Sequence, residues 1–96
     1  MEDVTAMGFK KIRSINCSYA RQGQIYFTLL NYREQPCSVQ KRIDSLISTA
    51  CGGDEAYCAA LRGWLLRGES WDHVLQKYYV DRTGLLRARK WLYEHW

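Results

Sequence analysis

Apolar residues recur every three or four positions along most of this chain, and the stripes they make are separated by residues that start or stop helices. Val39, Ile43, Leu46, Ile47 and Ala50 form one stripe; Ser38 stands where a cap belongs and Gly52-Gly53 offers a left-handed exit, which predicts a helix over 38–51. Asp54 can cap a second stripe of Tyr57, Ala60, Leu61, Trp64 and Leu65, predicting a helix over 55–67 that stops at Gly68. Ser70 precedes a third stripe, Trp71, Val74, Leu75 and Tyr78. Asp81 precedes a fourth, with Leu85, Ala88, Leu92 and Trp96 on its inward side. The pattern leaves one fold class: an all-α compact bundle of four to five short helices, residues 1–96 forming a single domain, with residues 70–96 making a helix-turn-helix.

The first third is less regular. Residues 1–9 read as a flexible arm. Ile12, Ile15 and Tyr19 allow a short helix that Gly23 breaks, since glycine costs a helix interior about 1 kcal/mol. The stretch QIYFTLLNYREQP then places Ile25, Tyr26, Leu29, Leu30 and Tyr32 on one broad face, and Pro36 ends it. QIYFTLL also suits a strand, but the chain offers it no partner strand.

Composition narrows the function classes. No run approaches the ~20 apolar residues of a membrane span, and the opening residues have no signal-peptide core, so a soluble, cytoplasmic protein without a membrane partner is expected. Cys17, Cys37, Cys51 and Cys58 are widely spaced, with no C-x-x-C pair, and read as small apolar side chains in place of zinc ligands or disulfides. His73 and His95 stand singly beside Asp72 and Glu94, and no phosphate-cradling glycine loop is present; no catalytic residue, metal or cofactor is expected, and the chain is not read as an enzyme. The net charge of +4 favours a polyanion partner. Lys10, Lys11 and Arg13 cluster near the start, as in an arm reaching the phosphates or minor groove or in an ordinary charged terminus. From position 82 onward Arg82, Arg87, Arg89 and Lys90 face one acid, Glu94.

That closing segment carries the functional expectation. A helix-turn-helix needs a bracing helix, a turn anchored by an apolar side chain, here Val80, and a second helix whose outer face is free to enter the major groove of double-stranded DNA. With Leu85, Ala88, Leu92 and Trp96 inward, the outer face shows Arg82, Thr83, Gly84, Leu86, Arg87 and Lys90. Arginine grips guanine O6 and N7 with two parallel hydrogen bonds, so base reading falls to Arg87 first and Arg82 second. Thr83 and Gly84 let the helix start approach closely and offer a hydroxyl and free amides to a phosphate, while Arg89 and Lys90 touch the duplex backbone.

The run GESWDHVLQKYYVDRTGLLRARKWLYEHW resembles the DNA-binding fourth region of bacterial sigma factors, and more closely the small phage transcription regulators of the RinA and ArpU type. The likeness covers about a third of the chain. It implies that Trp71 and Val74 are core positions of the bracing helix, Val80 the turn anchor, Leu85, Ala88 and Leu92 the core of the reading helix, and Arg82, Thr83, Arg87 and Lys90 its outward positions. Three residues depart from the pattern: Leu75 where a small residue is usual, Lys77 where an apolar one is, and Tyr79 where the turn carries glycine. A non-glycine residue in a left-handed turn costs ~1 kcal/mol or more, so the departure predicts a turn opened by a residue or an unusual crossing angle. The resemblance implies a transcriptional regulator that touches DNA and also RNA polymerase; a homodimer, with the exposed parts of 25–47 as its surface, would double the readout.

Competing readings attach to the same residues. The cations of the last helix suit a solvated face, with Lys90 and Glu94 as an i,i+4 pair. Trp64, Trp71, Trp91 and Trp96 could stack on bases, but aromatics at helical spacing read first as core, with Trp91, off the inward stripe, as the exposed one. The alternative function is a small helical protein-binding module or inhibitor from a mobile element that acts on a host protein.

Overall fold

The computed structural model describes residues 11–96 and shows an all-α bundle of five helices: α1 (Tyr19–Leu30), α2 (Cys37–Ala50), α3 (Glu55–Leu65), α4 (Trp71–Tyr78) and α5 (Arg82–Glu94). The arm expected over 1–9 and Lys10 of the basic cluster lie outside the described residues. No helix among the described residues is long and apolar enough to cross a membrane.

Three of the helix starts follow local chemistry visible in the sequence. Asp54 accepts from the amides of Ala56 and Tyr57, Ser70 from His73 and Asp81 from Gly84, each satisfying a donor left over at a helix N-terminus. Gly52 (φ 60°), Gly53 (φ 79°) and Gly68 (φ 69°) take the left-handed conformation that ends a helix.

The N-terminal half departs from expectation. Residues 12–17 form an irregular strap in place of a helix, and α1 then runs straight through Gly23. Gln22 accounts for the strap. Its fully buried amide accepts from the Ile12 amide at 2.8 Å and donates to the carbonyls of Ile12 and Cys17 at 3.0 Å, tying the strap down over Ile15. Burial of Ile25 and Leu29 on the same helix outweighs the ~1 kcal/mol cost of glycine, since each fully buried side chain contributes about 1.5–3 kcal/mol. QIYFTLL is thus helical, and the helix ends at Leu30, short of Tyr32, in a 3-10 turn over Tyr32–Glu34. Pro36, not Ser38, is the residue that precedes α2; its extended backbone starts the helix at Cys37 with no side-chain cap. Tyr32 and Arg62 both reach Asp44, at 2.7 and 2.8 Å, and so fasten the 3-10 turn and α3 to α2.

The core gathers Ile25, Leu29, Ile43, Ile47, Ala60, Leu61, Leu65, Val74, Leu85, Ala88 and Leu92 from all five helices. Within it, α4 packs chiefly on α3, while α5 packs on α2 and α3. Arg42 of α2 donates to the Trp96 carbonyl and holds the far end of α5.

Candidate nucleic-acid interface

The expected rotation of α5 is the one observed. Leu85 and Leu92 are completely buried and Ala88 nearly so, whereas Arg82, Thr83, Leu86, Arg87 and Lys90 are exposed. Positions 82, 83, 86, 87 and 90 make a single stripe at helical spacing. It extends about 12 Å at the ~1.5 Å rise of a helix, the length of three to four stacked base pairs.

Between α4 and α5 the chain turns over Tyr79, Val80 and Asp81. Val80 is buried and anchors the turn. Tyr79 adopts the left-handed conformation itself (φ 54°, ψ 44°), the only non-glycine residue to do so among those described. The tyrosine itself accepts the strain of that conformation, on the order of 1–2 kcal/mol. Leu75 is half-buried against the core, and Lys77 is exposed with its ammonium 5.2 Å from the Tyr78 ring centre.

Two of the six expected contacts do not face outward. Gly84 is turned to the bundle: a Cβ there would lie 2.8 Å from Tyr57 Oη and 2.9 Å from Cε1, and its amide already donates to Asp81 Oδ2 at 3.0 Å. The glycine lets α5 approach α3, and neither it nor its amide is free for a phosphate. Tyr57 Oη accepts from the Asp81 amide at 3.1 Å, so one α3 side chain sets both the roll of α5 and its first turn.

Arg89 is the second correction. Its guanidinium lies over the Trp64 ring, 4.7 Å from the centroid, and Nε is buried with no hydrogen-bond partner. Burial lowers the pKa of this arginine, because desolvation penalises the charged form. Trp64 in turn packs on Trp71 at 4.6 Å, and Arg82 lies over Trp71 at 6.0 Å. Two packed tryptophans, flanked by an arginine on either side, thus line the seam between α5 and the α3–α4 pair, where cation–π attraction contributes ~0.5–2 kcal/mol per contact. Neither the glycine contact nor this ladder was legible from α5 alone; both depend on aromatic residues of another helix.

The remaining four differ in availability. Lys90 pairs with Glu94 at 2.6 Å, and Glu94 also accepts from the Asn16 amide at 2.8 Å. Lys90 donates to Glu94 and thereby holds that carboxyl below the usual range, with the Asn16 amide assisting. The strap therefore meets α5 at its far end, clear of Arg82 and Arg87. Arg87 makes no hydrogen bond or ion pair among the described residues; it borders a shallow hollow with Ala50, Cys51, Gly52, Tyr57, Gly84 and Ala88. The free cations of the stripe are thus Arg87 and, with its guanidinium near Trp71, Arg82. Asp81 adds a carboxylate at the start of α5, which disfavours a phosphate at the helix N-terminus itself.

Trp64, Trp71 and Trp96 pack against the core as expected, whereas Trp91 is half-buried where exposure was expected, its ring stacked on His95 at 4.1 Å. Tyr93, outside the apolar stripe, is buried, and burial pushes its phenol up to about 12. The thiols carry no disulfide, and no group of three or more metal-binding side chains is assembled among the described residues. No protein-family model, curated protein or solved structure matches the chain.

Proposed function

We propose that this protein binds double-stranded DNA through the outer stripe of α5, and that it is a phage-type transcriptional regulator of the kind its C-terminal third resembles. One observation carries the reading: Arg87 stands unpaired and exposed in the middle of a helix whose opposite flank is wholly buried and whose N-terminal turn is anchored by Val80. A guanidinium so placed is free to form a bidentate pair with a guanine edge, and such a pair discriminates by ~1–3 kcal/mol. Arg82 is the second reader, Thr83 donates to the backbone, and Lys90 neutralises a phosphate only by loosening its grip on Glu94. Gly84 and Arg89 act inside the bundle, in setting the roll and seat of α5. The chain works without enzyme activity or cofactor in the cytoplasm; contact with RNA polymerase follows from the resemblance, and pairing of two copies from the limited surface that one unit of this size would bury on DNA.

The test is selection of bound sequences from a random duplex pool, followed by titration of Arg87→Ala and Lys90→Ala on the selected site. Arg87→Ala should weaken the selected site by ~1–3 kcal/mol and relax one base pair of the preference. Lys90→Ala should weaken all sequences alike and lower the salt slope by at most about one unit, since Glu94 already holds the ammonium. No enrichment in the selection, or the same behaviour from both variants, contradicts the reading.

A second reading has its own support. A cleft of about 600 Å³ opens between the end of α1 and the end of α3, its lining including the apolar Leu30, Tyr32 and Leu66 and the cationic Arg33 and Arg67. A host protein could seat an apolar side chain there, as the inhibitor alternative requires; enrichment of protein in place of duplex would favour it.

A further inference from the structure

The turn before α5 holds a residue that the bundle does not use. Tyr79 is 93% exposed, makes no hydrogen bond among the described residues, and sits in a backbone conformation that glycine would occupy without strain. A large aromatic residue kept at such a position stabilises nothing in the fold. Backbone strain of this kind clusters at functional sites. Its neighbours define the chemistry. Lys77 is exposed two positions before it, and Arg82, the first residue of α5, follows three positions after. At most ~10 Å of chain separates Tyr79 from Arg82. In sequence, an exposed phenol thus stands between two exposed cations in the turn that leads into α5, a composition suited to the sugar-phosphate edge of a groove. Tyrosine hydroxyls are among the donors that fix a protein on the duplex backbone.

We propose that Tyr79 is a backbone contact of the DNA site, its hydroxyl donating to a phosphate beside the groove that α5 enters. The inference rests on the duplex reading above. It gives the turn a binding role, extends the footprint beyond the α5 stripe, and explains why the position is not glycine.

Fold and function separate cleanly here. Tyr79→Gly should melt higher than the wild type by a few degrees, roughly 4–8 °C if the strain is fully released. The same variant should bind a short fluorescein-labelled mixed-sequence duplex about tenfold more weakly, the loss of one hydrogen bond to a charged group. Tyr79→Phe should melt like the wild type, show the same tenfold loss, and leave the salt dependence of binding unchanged, because no charge is removed. Full affinity in either variant, with Arg87→Ala still weakened, overturns the role of Tyr79 alone. Absence of duplex binding by the wild-type chain at low salt overturns both this role and the reading on which it rests.

Discussion

Replacing Gly84 by alanine tests whether that residue belongs to the bundle or to the DNA face. In an open helix the change should stabilise by up to about 1 kcal/mol, the difference in helix propensity. Here the new Cβ would meet Tyr57 Oη, Cε1 and Cζ at 2.8, 2.9 and 3.0 Å, well inside the ~3.5–4.0 Å of comfortable carbon contact. Either α5 moves outward or the Tyr57 ring swings away. Overpacking of this size costs about 1–3 kcal/mol. A displaced ring also gives up the hydrogen bond from the Asp81 amide at 3.1 Å, costing about 1 kcal/mol more. Set against the propensity gain, the net loss is about 1–3 kcal/mol. Thermal unfolding followed by helical circular dichroism should therefore show a midpoint lowered by roughly 4 °C or more. The same substitution made in a Tyr57→Leu background, where those three ring atoms are absent, should be neutral or stabilising. A rise in melting temperature for Gly84→Ala in the otherwise unaltered chain refutes the contact and returns Gly84 to the outer face.

Two further outcomes follow from groups elsewhere in the bundle. Burial, the largest single influence on Asp44, raises its pKa, but the hydrogen bonds from Arg62 and Tyr32 overcome it and leave the carboxyl below its ordinary value. A depressed folded value contributes stability that is present above the unfolded value near ~4 and is lost as pH falls through the folded one. Asp44→Asn should therefore flatten the loss of melting temperature with falling pH below about 4, and identical acid limbs in the two proteins would exclude the linkage. Among the thiols, burial and the adjacent Cys58 push Cys51 up to about 12, whereas Cys37 is exposed. Ellman's reagent at neutral pH should label Cys37 in the fast phase and Cys51 only on unfolding, since the thiolate is the reactive form; Cys37→Ser retaining the fast phase would contradict this.

Much of the C-terminal half was legible because its signals are local. Asp54, Ser70 and Asp81 each cap the helix that follows them, and Gly52-Gly53 and Gly68 exit as their residue type allows. The inward stripe of α5 was equally plain, since Leu85, Ala88 and Leu92 share one side at any helical pitch. The N-terminal half depends on tertiary contacts. Gly23 reads as a breaker until Gln22 is seen to anchor the strap beside it, and Ser38 reads as a cap until Pro36 is seen to start the helix one position earlier. In the candidate site the same division holds. Arg82, Thr83, Arg87 and Lys90 lie outward as the periodicity required, but Gly84 and Arg89 are claimed by Tyr57 and Trp64, partners that no pattern within α5 reveals. Tyr79 departs from the glycine that the resemblance implies, and its backbone takes the left-handed conformation that glycine would occupy without strain.

Mapping amide chemical-shift changes while a mixed-sequence duplex is titrated into the labelled protein tests the DNA-binding claim most directly. Shifts should concentrate at 79, 82, 83, 86, 87 and 90, leave the Leu30–Arg67 cleft unmoved, and fade as salt is raised, because contacts to phosphate release counterions. Shifts confined to that cleft or to α1, or none at all at low salt, would contradict the assignment of α5 as the surface that meets DNA.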